Sequence, residues 1–308
     1  MTTPSHPATP PRSAASVQQI AIDIGGTKTR GLLLDGDSVL ADATVGSTNT
    51  QNVSREEAEL AFGELFQALA PAAVDRVVVG AGGVDTEADK RALAALIAPH
   101  LPDARITVVH DSELLLAAAG AVTGVSVIAG TGSAAWGRDG DGRESRSGGW
   151  GYLLGDEGSG YWLSREAVRR SLRRMNLGES PDDLAQAVCT SVGADDVAGL
   201  IAAFHDPAKG RRYWAERSRL VVDAARGGNA EAQDILACAA RDLVGLAAAV
   251  LKRLDLAGPV VLGGGLGQHV PELSGAFRAG LAELGHDDVR ILDREPVFGA
   301  VELLGRTV

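Results

Sequence analysis

The chain holds only two cysteines, Cys189 and Cys238, which lie in separate helical patterns with no CxxC spacing. Such a pair gives neither a disulfide framework nor a thiolate metal site, and both read as reduced, structural thiols. The six histidines are scattered without HExxH or another ligand spacing, so no bound transition metal is implied. Basic charge is scarce as well: 29 Lys and Arg against 40 Asp and Glu leave a net charge of -11. Nucleic-acid binding rests on clustered Lys and Arg, so this balance argues against a polyphosphate backbone as partner. No run approaches about 18 uncharged apolar residues, and no membrane span is expected. Residues 1–16 are rich in Pro, Ser and Thr, with no apolar run and no heptad pattern. They read as a disordered tail rather than a signal peptide, and the expectation is a cytoplasmic protein.

Glycine, by contrast, is abundant, with 39 in the chain. It is densest between Gly130 and Tyr161, where Gly130-Thr131-Gly132-Ser133, Gly148-Gly149-Trp150-Gly151 and Gly155-Asp156-Glu157-Gly158-Ser159-Gly160 surround a short hairpin. Bare backbone lets amides approach a ligand closely, while Thr, Ser and Asp supply the donors and acceptors that phosphates and sugar hydroxyls need.

The length of 308 residues suits about two domains. Apolar runs and turn residues predict strands at Gln18 to Ile24, Thr29 to Leu34 and Val39 to Thr44, then a helix at Ser54 to Leu69. A strand at Val74 to Gly80, a helix at Thr86 to Ala98, a strand at Ile106 to Val109 and a helix at Ser112 to Ala121 follow. The order begins again with strands at Val125 to Ala129, Ala134 to Gly137 and Arg143 to Ser147. Helices are then expected at Glu157 to Met175, Pro181 to Ser191, Val197 to Phe204, Tyr213 to Arg226 and Ala230 to Leu254. Strands at Pro259 to Leu262 and Val289 to Leu292 flank a helix at Val270 to Leu284, and a helix at Val297 to Leu304 closes the chain. The chain therefore reads as a duplicated α/β unit. An N-terminal lobe is expected over residues 17–120, completed by 295–308, and a C-terminal lobe over 121–294, with a hinge at Gly120 to Gly124. Ligands of such sheets gather at the carboxyl ends of strands, which predicts an active site in a cleft between the lobes.

Asp23-Ile24-Gly25-Gly26-Thr27-Lys28-Thr29, Ser47-Thr48-Asn49, Asp111, the turn Gly130 to Ser133, Gly148 to Gly151, Gly155 to Gly160 and Gly263 to Gly265 follow the order seen in BadF/BadG-type ATPases. The chain resembles that family over nearly its whole length after the tail, its N-acetylglucosamine kinases most of all. The resemblance implies two ribonuclease-H-like lobes of the actin-like ATPase kind. It also implies that Gly25, Gly26 and Thr27 in one lobe and Thr131 and Gly132 in the other contact the phosphates of ATP. Asp23 would help hold Mg2+, through water. Gly263, Gly264 and Gly265, and with them Ala215, would flank the adenosine. For the glycine run a tight strand-to-helix turn is the plainer account, and for Ala215 helix packing.

By the same resemblance Asn49, Ser133, Ala134, Gly149, Trp150, Gly151 and Asp156 line the sugar site, and Asp111 is the catalytic base. Each has a structural alternative: a loop cap for Asn49, helix caps for Asp111 and Asp156, a core side chain for Trp150. Gly82-Gly83 is either pocket floor or a structural turn, and Lys28 either a ligand or a solvent-facing residue. Thr50 and Gln51 stand where related kinases often carry His and an aromatic, and Ala134 where one has a polar amide. A second family of sugar kinases shares the Asp-Ile-Gly-Gly-Thr-Lys start but adds a cysteine-rich zinc motif that this chain lacks.

The expectation is therefore phosphorylation of the 6-hydroxyl of N-acetylglucosamine by ATP and Mg2+, in a protein that, like its relatives, forms a homodimer. Glucosamine, N-acetylmuramic acid and N-acetylmannosamine are the rival sugars. An activator-type ATPase with a bridging iron-sulfur cluster is the rival class, and a catalytically silent sugar sensor a third.

Overall fold

The computed structural model describes residues 17–84 and 86–306; the tail expected at residues 1–16 lies outside the described residues. The first sheet is five-stranded, built from β1 (Gln18–Ile24), β2 (Lys28–Asp35), β3 (Ser38–Gly46), β4 (Val74–Ala81) and β5 (Arg105–His110) in the order β3-β2-β1-β4-β5. β1 runs antiparallel to β2 and parallel to β4, and β2 antiparallel to β3. Ile20, Ala21, Ile22 and Ile24 of β1 are buried, as a near-continuous apolar run predicts for a central strand. Two helices, α1 (Arg55–Leu69) and α2 (Glu87–Ile97), lay Phe62, Leu65, Leu93 and Ile97 into the core shared with β1 and β4. Ser54 and Thr86 are not part of these helices but their N-caps. Each accepts the backbone N–H three residues on, while Glu57 and Asp89 reach back to the cap.

The second sheet repeats the first. β6 (Gly124–Ala129), β7 (Ser133–Arg138), β8 (Glu144–Gly148), β9 (Val260–Gly263) and β10 (Val289–Ile291) take the order β10-β9-β6-β7-β8. Again three strands are antiparallel and the rest parallel. Between β8 and β9 run α4 (Gly160–Asn176), α5 (Asp183–Val192), α6 (Gly199–His205), α7 (Arg211–Ala215), α8 (Ser218–Arg226) and α9 (Ala230–Leu254). α3 (Asp111–Ala118) precedes β6, α10 (Gly264–His269) and α11 (Pro271–Glu283) separate β9 from β10, and α12 (Val297–Gly305) ends the chain. The 25-residue α9 lies close on the sheet because glycines make room for it. A Cβ at Gly137 would stand 2.6 Å from Val250, and one at Gly158 2.7 Å from Leu243.

Two expectations are corrected. The helix foreseen from Tyr213 to Arg226 is two, because side chains take the carbonyls at the joint. Ser164 Oγ donates to Trp214 O and Ser218 Oγ to Ala215 O, each at 2.7 Å. α4 begins at Gly160 rather than Glu157, since Asp156 (φ 60) and Gly158 (φ 79) are left-handed and cannot enter a right-handed helix. By their internal contacts the described residues form two compact units, one of residues 17–109 with 304–306 and one of His110–Leu303. α3 goes with the second unit because Leu115 and Leu116 pack with Trp136, Val261 and Leu292.

Candidate active site

The first glycine turn joins β1 to β2. Ile24 pairs with Thr29, and the Gly25 N–H donates to the Lys28 carbonyl at 2.9 Å, which leaves Gly26, Thr27 and Lys28 exposed at the tip. Asp23, half-buried near the end of β1, lies across the strand pair from Arg30, which Asp42 grips through two hydrogen bonds of 2.9 and 2.6 Å. The Ser47 to Asn49 loop is laced to this turn. Ser47 Oγ donates to Gly25 O at 2.9 Å, and the buried hydroxyls of Thr48 and Thr29 share a 2.9 Å bond. Asn49 donates through Nδ2 to Gly82 O at 3.1 Å and accepts the Gln51 N–H at 3.0 Å, while Gln51 Nε2 donates to Gly83 O at 2.9 Å. Asn49 thus does cap its loop, and Gly82-Gly83 is the surface it is tied to.

The second glycine turn occupies the matching place between β6 and β7. Ala129 pairs with Ser133, the Gly130 N–H donates to Gly132 O at 3.0 Å, and Thr131 is exposed at the tip. The stretch 156–160 is bound to it from one side. Ser133 Oγ donates to Glu157 O at 2.6 Å, the Ser133 N–H to the Asp156 carboxylate, and the Gly160 N–H to Gly130 O at 2.8 Å. Gly264 closes it from another: its φ is +84, and a Cβ there would meet Ala129 O at 2.6 Å. Gly263 is pressed by Leu115 of α3, where a Cβ would find Cδ2 at 2.6 Å, whereas Gly265 has nothing within 4 Å. Ala215 packs in the core, with its carbonyl 3.0 Å from where a Gly160 Cβ would be.

On β7 Ala134 pairs with Gly148, and Arg146 secures the loop beyond through Nε to Gly148 O at 3.2 Å and Nη2 to Gly149 O at 2.5 Å. That loop leaves Trp150 65% exposed, so it is not a core residue. Gly151 (φ +82) has no neighbour within 4 Å. Asp111 opens α3, where the helix N-terminus favours a carboxylate. Its Oδ1 is 3.0 Å from His110 Nδ1 and 3.5 Å from Ser112 Oγ, and its side chain remains a quarter exposed. The His110 ring, not Asp111, caps the helix by accepting the Ser112 N–H, and it stacks on Trp136.

A sequence profile of the BadF/BadG/BcrA/BcrD ATPase family matches residues 20–301. The chain belongs to this family. It is similar to an N-acetylmuramic acid/N-acetylglucosamine kinase from Clostridium acetobutylicum, 30% identical over 92% of this chain and 96% of the relative. It is also similar to an N-acetyl-D-glucosamine kinase from Dictyostelium discoideum, 29% identical over 77% of this chain and 80% of the relative. Among solved structures, a candidate N-acetylglucosamine kinase from Chromobacterium violaceum superimposes with a TM-score of 0.72 at 29% identity, over 94% of this chain and 99% of that one. The fold of this family member is accordingly the two-lobed α/β fold of the sugar kinases and actin-like ATPases.

One side chain beside the second glycine turn escaped the sequence altogether. Arg211, the first residue of α7, donates through Nη2 to Asp156 Oδ2 at 2.7 Å, across 55 positions of chain that carry no shared motif. Asp156 is 2% exposed, and its burial, the largest influence, raises its pKa even though Arg211 and the Ser133 N–H pull the other way. A raised carboxyl pKa means that Asp156 contributes most to stability below its unfolded-chain value and progressively less as pH climbs through the folded one. The stability margin of the wild type over Asp156→Asn should therefore narrow as pH rises from the aspartate range toward neutrality. Urea unfolding across that range checks this, and a margin that widens would show the arginine dominating instead.

Proposed function

We propose that this family member transfers the γ-phosphoryl group of ATP to the 6-hydroxyl of an amino sugar, N-acetylglucosamine in the first instance. The observation that carries the reading is the likeness to two kinases of that sugar, 30% identical over 92% of this chain and 29% identical over 77% of it. Either glycine hairpin by itself offers donors that suit phosphate oxygens. Each unit offers one hairpin whose glycines carry no side chain and whose exposed threonine, Thr27 or Thr131, presents a hydroxyl. Among the described residues no group of three or more His, Cys, Asp or Glu could hold a metal ion. A magnesium ion would then be carried by phosphate oxygens and water, with the half-buried Asp23 as its protein partner. Bound there it would offset charge on the phosphates.

In this reading Asp111 accepts the proton of the sugar 6-hydroxyl as that oxygen forms its bond to the γ-phosphorus and the bond to the leaving ADP breaks. Little covalent chemistry is left to the protein, so positioning and electrostatics supply the rate. Asn49 and Asp156, with Ser133, Ala134, Gly149, Trp150 and Gly151, would hold the sugar, and Gly263 to Gly265 with Ala215 the adenosine. The enzyme would act in the cytoplasm as a homodimer.

The test is ADP release measured with N-acetylglucosamine, N-acetylmuramic acid, glucosamine and N-acetylmannosamine, followed by phosphorus–carbon coupling in the NMR spectrum of the product. Coupling at C6 of N-acetylglucosamine is the expected result. ADP release that no amino sugar stimulates would sink the proposal, and preference for another sugar of the panel would reassign the substrate.

A further inference from the structure

Arg211 shapes the second glycine turn, yet neither proton transfer nor sugar binding uses it. A Cβ on Gly132 would stand 2.1 Å from its Nη2 and 2.9 Å from Asp156 Oδ2, so the ion pair rests directly on the backbone of the turn. The pair is lopsided. The Asp156 side chain is 3% exposed and that of Arg211 34%, which turns the carboxylate inward and leaves about a third of the arginine side chain accessible. Arg211 Nε is buried without a hydrogen-bond partner. A guanidinium has five N–H donors in a fixed fork, and here a single carboxylate oxygen engages one nitrogen. The fork thus has donors beyond the one that Asp156 engages, and a charged acceptor that reached them would add a charge-assisted contact. The residue whose backbone the guanidinium covers is Gly132, beside the exposed Thr131, in the turn that the proposed function assigns to phosphate.

We infer that Arg211 binds an anionic phosphoryl oxygen of the nucleotide at the Gly130–Gly132 turn, with Asp156 as the carboxylate that holds the guanidinium in place. The inference rests on the kinase reading only in placing phosphate at this turn. The carboxylate proposed to meet a sugar hydroxyl is thereby also the anchor of a phosphate ligand, which joins the two substrates through one ion pair. The fork geometry suits a phosphoryl group better than a lysine ammonium would.

Calorimetric titration of wild type, Arg211→Gln and Arg211→Lys with ATP, ADP and adenosine, magnesium present, tests it. Arg211→Gln should weaken ATP about 10- to 100-fold, the cost of one charge-assisted contact, and leave adenosine within about twofold. Arg211→Lys, which keeps the charge and loses the fork, should fall between, and it carries the test if the glutamine variant does not fold. Unchanged ATP affinity in Arg211→Gln, or an equal loss for all three ligands, would overturn the inference. Wild-type turnover with the sugar panel separates the two proposals. A wild type that binds ATP but phosphorylates no sugar removes the kinase reading and leaves the Arg211 titrations to be judged by themselves. A sugar-phosphorylating wild type whose Arg211→Gln form binds ATP normally removes the Arg211 inference alone.

Discussion

Asp111→Asn should lower kcat about 10²- to 10⁴-fold, on the order of 3 to 5 kcal/mol of barrier, while sugar and nucleotide still bind. Asparagine keeps the size of the side chain and an oxygen that can accept from Ser112 Oγ, which lies 3.5 Å from Oδ1 in the wild type. It keeps a planar polar group beside His110, and it removes the acceptor of a proton. The fold should tolerate the exchange, because the cap of α3 is the His110 ring and not the Asp111 side chain. Losing a negative charge at the helix start costs about 0.3 to 1 kcal/mol, small beside the catalytic loss. The measurement is steady-state kinetics with the sugar KM recorded separately, alongside thermal unfolding. Turnover within about threefold of wild type would leave Asp111 a helix-terminus residue and nothing more. A large loss accompanied by unfolding or by vanished nucleotide binding would assign it to structure instead.

The difference in legibility between Asp111 and Arg211 has a physical origin. Strand periodicity, turn residues and the repeated order of elements are local patterns, so both sheets could be read from the chain, down to the Gly25–Lys28 and Gly130–Gly132 hairpins. The caps Ser54 and Thr86 blurred helix starts by one residue, a boundary error that local chemistry explains. The joint between α7 and α8 was not legible, because the hydroxyl that takes the Trp214 carbonyl comes from Ser164, 50 residues away. Arg211 was missed for the same reason: its meaning depends on Asp156 and Gly132, which only the folded chain brings to it. Trp150 was open to a core reading because an aromatic among glycines gives no clue to which side of the loop it faces. Its exposure follows from Arg146 fastening the carbonyls of Gly148 and Gly149 and leaving the next residues outside.

Gly264→Ala should destabilise the protein by more than about 3 kcal/mol and remove nucleotide binding with it, whereas its neighbour Gly265→Ala should leave stability within about 1 kcal/mol of wild type. At Gly264 two penalties coincide. Its φ of +84 is a conformation that an L side chain resists by about 1 to 2 kcal/mol, and its Cβ would lie 2.6 Å from Ala129 O, 2.7 Å from Ala129 C and 3.0 Å from Ala129 N. Those neighbours are backbone and cannot rotate aside. Relief requires β9 and β6 to part next to the Ile128–Gly263 pairing, where the chain enters the Gly130–Gly132 turn. Gly265 has neither constraint: it is exposed, its Cβ would meet nothing within 4 Å, and it sits inside α10, where alanine is the better helix former. Urea unfolding of both variants separates them. Nucleotide titration of Gly265→Ala then asks a different question, because a stable protein with weakened ATP and adenosine binding would mark Gly265 as bare backbone kept for the ring of the nucleotide. Unaltered affinity would reduce the glycine run to a strand-to-helix turn, with Gly264 glycine for the sake of the fold alone.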